Sequence, residues 1–266
     1  MDTQAIREQL PALVKGHVPR NVRRFKFIIL DGGPKIGTFG VYVDPKPFDG
    51  NVVAVTDTFI VVKTGRASFV VLVRALVTEV PDVGAKVHVE PYARRRFDGL
   101  RADTPEERTE RTADGHSYTV KHFVLGSAPA KLPVPDDLRC PELKELANQL
   151  EQLPAPDGFR CISHLLVDAG AKDFTWVDPT PDQIIETPPA ISFTVDSGKF
   201  QGRVTVLYDR AADVYAIELH GHGQRVNRRA DVYFDDLGAV LERLIDDGSW
   251  RRIHVQILSG RKATRH

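Results

Sequence analysis

A run of short, β-branched segments between residues 48 and 97 constrains the fold of this chain more than any other feature. Three segments rich in Val, Ile and Phe, Asn51–Val55, Thr58–Lys63 and Ser68–Arg74, are followed by a fourth, Lys86–Glu90. The breaks between them contain Asp, Gly and Pro, the residues of tight turns. Short strands separated in this way predict an antiparallel meander or a small closed barrel.

Further segments on either side complete the predicted first domain. Apolar residues at helical spacing between Thr3 and Lys15 predict an N-terminal helix. Strand-like sequence at Arg24–Leu30 and Gly37–Val43 precedes the central run, and His116–Leu125 follows it. We therefore expect residues 1–125 to form an all-β small barrel with an N-terminal helix.

The composition of the sequence changes after residue 125. Residues 126–141 contain four prolines, which predicts a semi-rigid linker. Two helical patterns, three strands, a helix and a last strand at Arg252–Leu258 follow in that order. This order predicts an α+β domain over residues 142–266, an antiparallel sheet with helices. The expected fold class is therefore mixed, an N-terminal barrel followed by a C-terminal α+β domain.

Composition argues against several classes of protein. Lys plus Arg and Asp plus Glu both number 36, so the formal net charge is zero, with the basic excess in the first half. No apolar segment approaches the ~20 residues that span a bilayer. The N-terminal sequence lacks the apolar stretch of a signal peptide. We expect a cytoplasmic protein without a membrane partner.

The Gly-rich segment between residues 32 and 40 does not indicate a nucleotide-binding loop. It lacks the Gly-Lys-Ser/Thr ending of a P-loop, and a strand pattern rather than a helix follows it. A Gly-x-Ser-x-Gly elbow is also absent from the sequence. Neither a cofactor nor a catalytic residue is predicted.

A cluster of basic and aromatic residues after the fourth strand is the strongest candidate for a binding site. Its members are Tyr92, Arg94, Arg95, Arg96, Phe97 and Arg101. Guanidinium groups bind phosphates and aromatic rings stack on bases, so the cluster predicts contact with nucleic acid from a loop of the barrel. The alternative is that the two rings close the barrel while the arginines face water.

A second basic group lies in the C-terminal half. Arg225, Arg228 and Arg229 follow a predicted strand closely, and they are candidates for a secondary contact with an anion. A solvated loop is the alternative interpretation, because runs of charge usually lie on surfaces.

Glu218, His220 and His222 alternate along the same predicted strand. Alternate residues of a strand share a face, so these side chains could converge on a metal ion. A solvated polar strand end is the alternative, since Gly221 and Gly223 are also typical of a turn. A metal site here would indicate a metal-dependent hydrolase.

Residues 48–92 combine several turn and core positions in a recognisable order. A Val-rich strand begins after Gly50, Asp57 precedes the next strand, Gly65-Arg66 forms a turn, and Val83-Gly84 opens the last strand. This pattern resembles the KfrB-type small β-domain of plasmid and mobile-element proteins. The resemblance implies an accessory protein carried by a plasmid or another mobile element.

Together these observations predict a non-enzymatic accessory protein that binds nucleic acid or a protein partner through a basic β-barrel. Two alternatives stay open on the sequence alone. One is the metal-dependent hydrolase, and the other is a protein-binding inhibitor of conjugation or host defence.

Overall fold

The computed structural model describes residues 3–122, 124, 126, 128–221 and 224–259, and most of its regular structure is strand. Its helices are α1 (Thr3–Val14), α2 (Pro141–Gln152), α3 (Ile162–Asp168) and α4 (Leu237–Ile245). Its strands are β1 (Lys26–Leu30), β2 (Lys35–Ile36), β3 (Tyr42–Val43), β4 (Phe48–Val55), β5 (Phe59–Gly65), β6 (Ser68–Val73), β7 (Lys86–Glu90), β8 (Glu106–Arg111), β9 (Ser117–His122), β10 (Lys172–Val177), β11 (Ala190–Asp196), β12 (Gln201–Asp209), β13 (Val214–Gly221), β14 (Gln224–Val232) and β15 (His254–Ser259). Within the described ranges, every helix is too short or too polar to cross a bilayer.

The chain divides into two compact units that interleave along the sequence. The first unit comprises the residues up to 35, residues 44–93 and the residues from 250 onward, while the second comprises residues 36–43 and 94–249. These bounds differ from the predicted domains, 1–125 and 142–266. Residues 94–122 belong to the second unit, and the last strand belongs to the first.

A six-stranded sheet forms the first unit, in the order β1-β6-β5-β4-β7-β15. Strands β4, β5 and β6 pair antiparallel in sequence order, as the Val-rich pattern predicts. At one end β1 pairs parallel with β6, and at the other β15 pairs antiparallel with β7. The final strand was expected to belong to the α+β domain, so its pairing with β7 corrects that expectation.

The predicted small barrel is not confirmed, because the sheet ends at β1 and β15 and these two strands do not pair. A single parallel bridge joins Val77 to Ile253, and the Ile253 N–H donates to the Leu76 carbonyl at 2.8 Å. This bridge brings the segment after β6 to the start of β15. There the Thr78 N–H also donates to the Ile253 carbonyl at 3.0 Å, and the Val255 N–H donates to the Thr78 hydroxyl at 3.0 Å.

Both faces of this sheet are packed. On one face α1 contributes Ile6, Leu10 and Val14 to a buried cluster with residues of β5 and β6. On the other face side chains from all six strands form a second cluster, which includes Leu30 of β1 and Val255 of β15. Burial on both faces explains why the strands are near-continuous runs of Val and Ile.

A five-stranded antiparallel sheet, in sequence order from β10 to β14, forms the centre of the second unit. Helices α2, α3 and α4 share one buried cluster with the side chains of one sheet face, Phe193, Val204, Val206, Ile217 and Leu219 among them. The apolar residues alternate along β12 and β13, so the intervening polar side chains belong to the opposite face. The predicted α+β architecture is present here, without the last strand.

The described residues of the predicted semi-rigid linker, 126–141, belong to the second unit. Leu132 and Leu138 are buried in the same cluster as the helices. The Leu132 N–H donates to the Glu151 carboxylate at 2.8 Å, and the Ala130 N–H donates to the Ser163 hydroxyl at 3.1 Å. Prolines stiffen this segment, but its leucines anchor it to the core.

Candidate functional site

The sequence-predicted basic and aromatic cluster is divided between the two units, because the boundary falls between Ala93 and Arg94. In the first unit Tyr92 is buried, and its ring lies 4.6 Å from the ring of Trp250, centroid to centroid. A buried ring that already packs against another ring is not placed to stack on a base.

Arg94 is buried in the second unit, with only 4% of its surface exposed. Its guanidinium group donates to the backbone carbonyls of Phe159 at 2.8 Å and Tyr42 at 2.9 Å. Since a long chain segment separates those two carbonyls, Arg94 ties distant parts of the second unit together. Its position indicates a role in the fold rather than in phosphate contact.

The next arginines also bind within the protein. Residues 94–102 form a tight hairpin in which Arg95 and Arg101 pair across the two arms. Arg101 forms a bidentate contact with the Asp103 carboxylate at 2.8 and 2.9 Å. Arg95 donates to the Gly99 carbonyl at 3.0 Å. These donors are engaged by the hairpin itself.

The remaining two members of the cluster are half-buried. Arg96 lies 3.2 Å from the Asp98 carboxylate. Phe97 packs edge-on against Phe174, 5.1 Å between ring centroids, at the border of the helix-covered core. The structure thus brings Arg95, Arg96 and Arg101 close together but gives each an acidic or carbonyl partner.

A polar surface on the sheet of the second unit gathers the other predicted residues. Glu218 and His220 lie on β13, on the face opposite the helices. The strand register places two rows side by side, Ser192–Thr205–Glu218–Arg228 and Thr194–Arg203–His220–Arg225. We call these eight residues the polar face.

Glu218 is the centre of the contacts on the polar face. Its carboxylate lies 3.1 Å from Arg225 and 3.6 Å from Arg228, and 3.3 Å from the Nε2 atom of His220. Elsewhere on this face the Arg203 guanidinium donates to the Thr175 hydroxyl at 2.7 Å. The Glu218 carboxylate therefore contacts two arginines and a histidine.

The polar face keeps hydrogen-bond donors in solvent. The side chains of Arg225 and Arg228 are 52% and 46% exposed, whereas that of Glu218 is 17% exposed. Because a guanidinium group carries five N–H donors, a single carboxylate leaves several of them open to another anion. Arg229 lies opposite Ile217 in the register, so the alternation of the strand assigns it to the other face.

Two of the three candidate metal ligands, Glu218 and His220, lie among the described residues. Within the residues that the structure describes, no group of three or more His, Cys, Asp or Glu side chains is suited to hold a metal ion. Glu218 binds arginines instead, and His222 lies outside the described residues. Sequence reasoning also missed Arg203, which the alternation of β12 could have assigned to this face.

A buried ionic cluster, which the sequence did not reveal, lies in the second unit. The Arg160 side chain is 0% exposed and lies 2.7 Å from Asp157, 2.7 Å from Asp168 and 2.6 Å from Asp246. Burial alone would raise the pKa of Asp157, but the charge and hydrogen bonds of Arg160 lower it below its usual value. All three carboxylates are almost fully buried, so this cluster belongs to the interior of the second unit.

His164, on α3, is held neutral close to this cluster. Burial and then the charge of Arg94 lower the pKa of His164 from 6.5 to about 4. The Cys161 N–H donates to the Nδ1 atom at 3.1 Å, which places the proton of the neutral ring on Nε2. Nε2 in turn donates to the Ala128 carbonyl at 3.0 Å. His164 is therefore a capping residue of α3 and not an exposed acid or base.

Comparisons with protein-family models, with curated proteins and with solved structures return no match to this chain.

Proposed function

We propose that this chain is a non-enzymatic protein that binds the phosphate backbone of nucleic acid through the polar face. One observation carries the proposal: Arg225 and Arg228 are half-exposed on the same side of one sheet, around a single carboxylate. Their free donors and the excess of positive charge suit an anion with several oxygens. The proposal moves the contact from the loop predicted on the sequence to the second unit.

The spacing of the arginines suits a polymer better than a single small anion. Neighbouring strands lie about 4.8 Å apart, and alternate residues of one strand about 7 Å apart. Arg203 and Arg225 flank His220 in one row, so roughly 10 Å separates their backbones. A nucleic-acid strand advances about 3.4 Å per nucleotide, so phosphates three nucleotides apart match this separation.

The composition of the polar face favours binding without sequence preference. None of its eight residues is Phe, Tyr or Trp, so it offers no stacking platform for bases. Contacts to phosphate position a protein on nucleic acid but carry no direct sequence information. A role as an accessory protein of a plasmid or mobile element is part of the proposal, and it rests on the resemblance of residues 48–92 alone.

Titration of the full chain with labelled single-stranded and double-stranded oligonucleotides, at several salt concentrations, tests the proposal. The log of the binding constant should fall linearly with the log of salt, and replacing both Arg225 and Arg228 with alanine should reduce that slope by about 0.9 per lost phosphate contact on duplex DNA. Arg229→Ala is the matched control, because it removes the same charge from the other face. The absence of binding at low salt, or an unchanged slope in the double variant, overturns the proposal.

A further inference from the structure

The two large sheets have four edge strands, and one of them differs from the rest. The pairing of β10 is shifted between Lys172 and Thr175, that of β15 between Ile257 and Ser259, and that of β14 at two places. Such bulges, together with charged side chains, protect an edge from pairing with another chain. Strand β1 pairs with β6 over five residues without a shift.

The backbone of β1 offers a regular row of hydrogen-bonding groups at the free edge. The Lys26 N–H donates to the Ala67 carbonyl at 2.9 Å, which fixes the residues whose groups point toward β6. In a parallel pair alternate residues bond the same neighbour, so Phe27 and Ile29 direct their N–H and C=O groups to the other side. No described strand pairs on that side.

The side chains along this edge are largely apolar. Ile28 is 51% exposed, in the middle of the strand and without a charged residue beside it in sequence. A groove of 690 Å³ lies along the strand, lined by Arg7, Phe27, Ile28, Ile29, Asp31 and Lys35. An exposed, regular and apolar edge is a template for one more strand.

The charges at the two ends of β1 favour one orientation for an added strand. Arg23 and Arg24, both exposed, precede β1, and Asp31, which forms an ion pair with Lys35, follows it. If a second β1 is laid antiparallel with Ile28 opposite Ile28, then Phe27 lies opposite Ile29 in a hydrogen-bonded pair. The basic start of each strand then lies beside the Asp31–Lys35 ion pair of the other, whereas a parallel arrangement would place arginines beside arginines.

We propose that β1 pairs antiparallel with β1 of a second copy of this chain, so that the first units of two copies share one continuous sheet. The interface is self-complementary about a two-fold axis through Ile28, the commonest symmetry of soluble dimers. This inference is independent of the proposed binding of nucleic acid.

Light scattering after size exclusion of the full chain, over a range of concentrations, tests the proposal. We expect a dimer that dissociates on dilution. Ile28→Lys places two ammonium groups at the axis and should raise the dissociation constant at least tenfold. Ile257→Lys, a change of the same kind on β15 at the other end of the sheet, is the control and should leave the dimer intact.

Amide hydrogen exchange tests the proposal on the unaltered chain, so the result does not depend on whether a variant folds. In the dimer the amides of Phe27 and Ile29 should exchange slowly, and they should lose protection on dilution, while the amide of Ile28 stays protected by β6. A monomer at every concentration overturns the proposal, whether those two amides are open or covered by another part of the chain. A dimer that Ile28→Lys leaves intact also overturns it.

Discussion

Two clusters of arginine and carboxylate in the second unit have opposite compositions and opposite surroundings. One guanidinium group, that of Arg160, lies among three buried aspartates. On the polar face one carboxylate, that of Glu218, lies between two arginines that are half in solvent. The buried arginine is enclosed by its partners, whereas the exposed arginines have donors left for another molecule.

The contrast separates charges that hold the fold from charges that can bind a partner. Removing one member of a buried ion pair leaves an uncompensated charge in a medium of low polarity, which costs far more than breaking an exposed pair. Substitutions in the two clusters should therefore affect different measurements. Stability reports on the Arg160 cluster, and ligand affinity reports on the polar face.

The largest effect is expected for Arg160→Leu. It leaves three buried carboxylates without their shared cation, so the free energy of unfolding should fall by about 3–5 kcal/mol. Urea denaturation measures the loss. The matched control is Arg225→Leu, for which we expect a loss of about 1 kcal/mol or less because that side chain is half-exposed. Similar losses in the two variants would remove the distinction between the clusters.

The second-largest effect on the free energy of unfolding is expected from the titration of His164. Its folded pKa, about 4, is lower than the ordinary value of 6.5, so below pH 6.5 the unfolded chain binds a proton that the native protein does not. The stabilisation is complete above pH 6.5 and is lost as the pH falls toward 4, by about 3 kcal/mol in total.

Unfolding free energies at several pH values, for the natural chain and for His164→Asn, measure this contribution. The asparagine retains an acceptor for the Cys161 N–H but does not titrate. The difference between the two proteins should shrink as the pH is lowered from 6.5 to 4. A difference that is constant across this range would show that His164 titrates normally.

Arg94→Ala should have the next largest effect on stability, about 2–3 kcal/mol, because two backbone carbonyls lose a charged donor in a buried site. The salt slope of oligonucleotide binding should not change, since the side chain is buried. Thermal unfolding and the binding titration together measure both quantities. A reduced salt slope with unchanged stability would indicate instead that Arg94 contacts phosphate, as the sequence predicted.

The smallest effect on stability is expected for Glu218→Gln, less than about 1 kcal/mol. Neutralising this carboxylate frees Arg225 and Arg228, so oligonucleotide affinity should increase several-fold and the salt slope should become steeper. The binding titration measures both. Weaker binding would contradict the assignment, and loss of a metal-dependent activity in the same variant would favour the hydrolase alternative.

Local pattern was sufficient to predict much of the regular structure. The strands β4 to β7 coincide with the Val-rich segments, because each is bounded by turn residues. Strands β5 and β6 are continuous apolar runs, and β7 alternates between buried and more exposed residues. Helix α2 begins at Pro141, the last residue of the predicted linker, and its existence follows from one of the two helical patterns. The existence of β15 was also predicted, but its partner was not, because pairing with β7 joins residues far apart in the sequence.

The candidate site was harder to predict from the sequence, for a related reason. A run of arginines is the same in sequence whether its members lie in water or are buried. The carbonyls of Tyr42 and Phe159, which bind the buried Arg94, are far from it along the chain. On the polar face, Arg203, Glu218 and Arg228 come from three strands. Their convergence depends on the register between strands. The alternation within one strand predicts only which face of the sheet each of its residues lies on.

The return of β15 to the first unit has a consequence for synthesis on the ribosome. Residues 94–249 leave the ribosome and can fold while β7, which is synthesised earlier, still lacks its partner β15 on one edge. The first unit is completed only when residues 254–259 leave the exit tunnel. A nascent chain arrested before that point lacks the partner of β7, and an unpaired edge of this kind can pair with another chain.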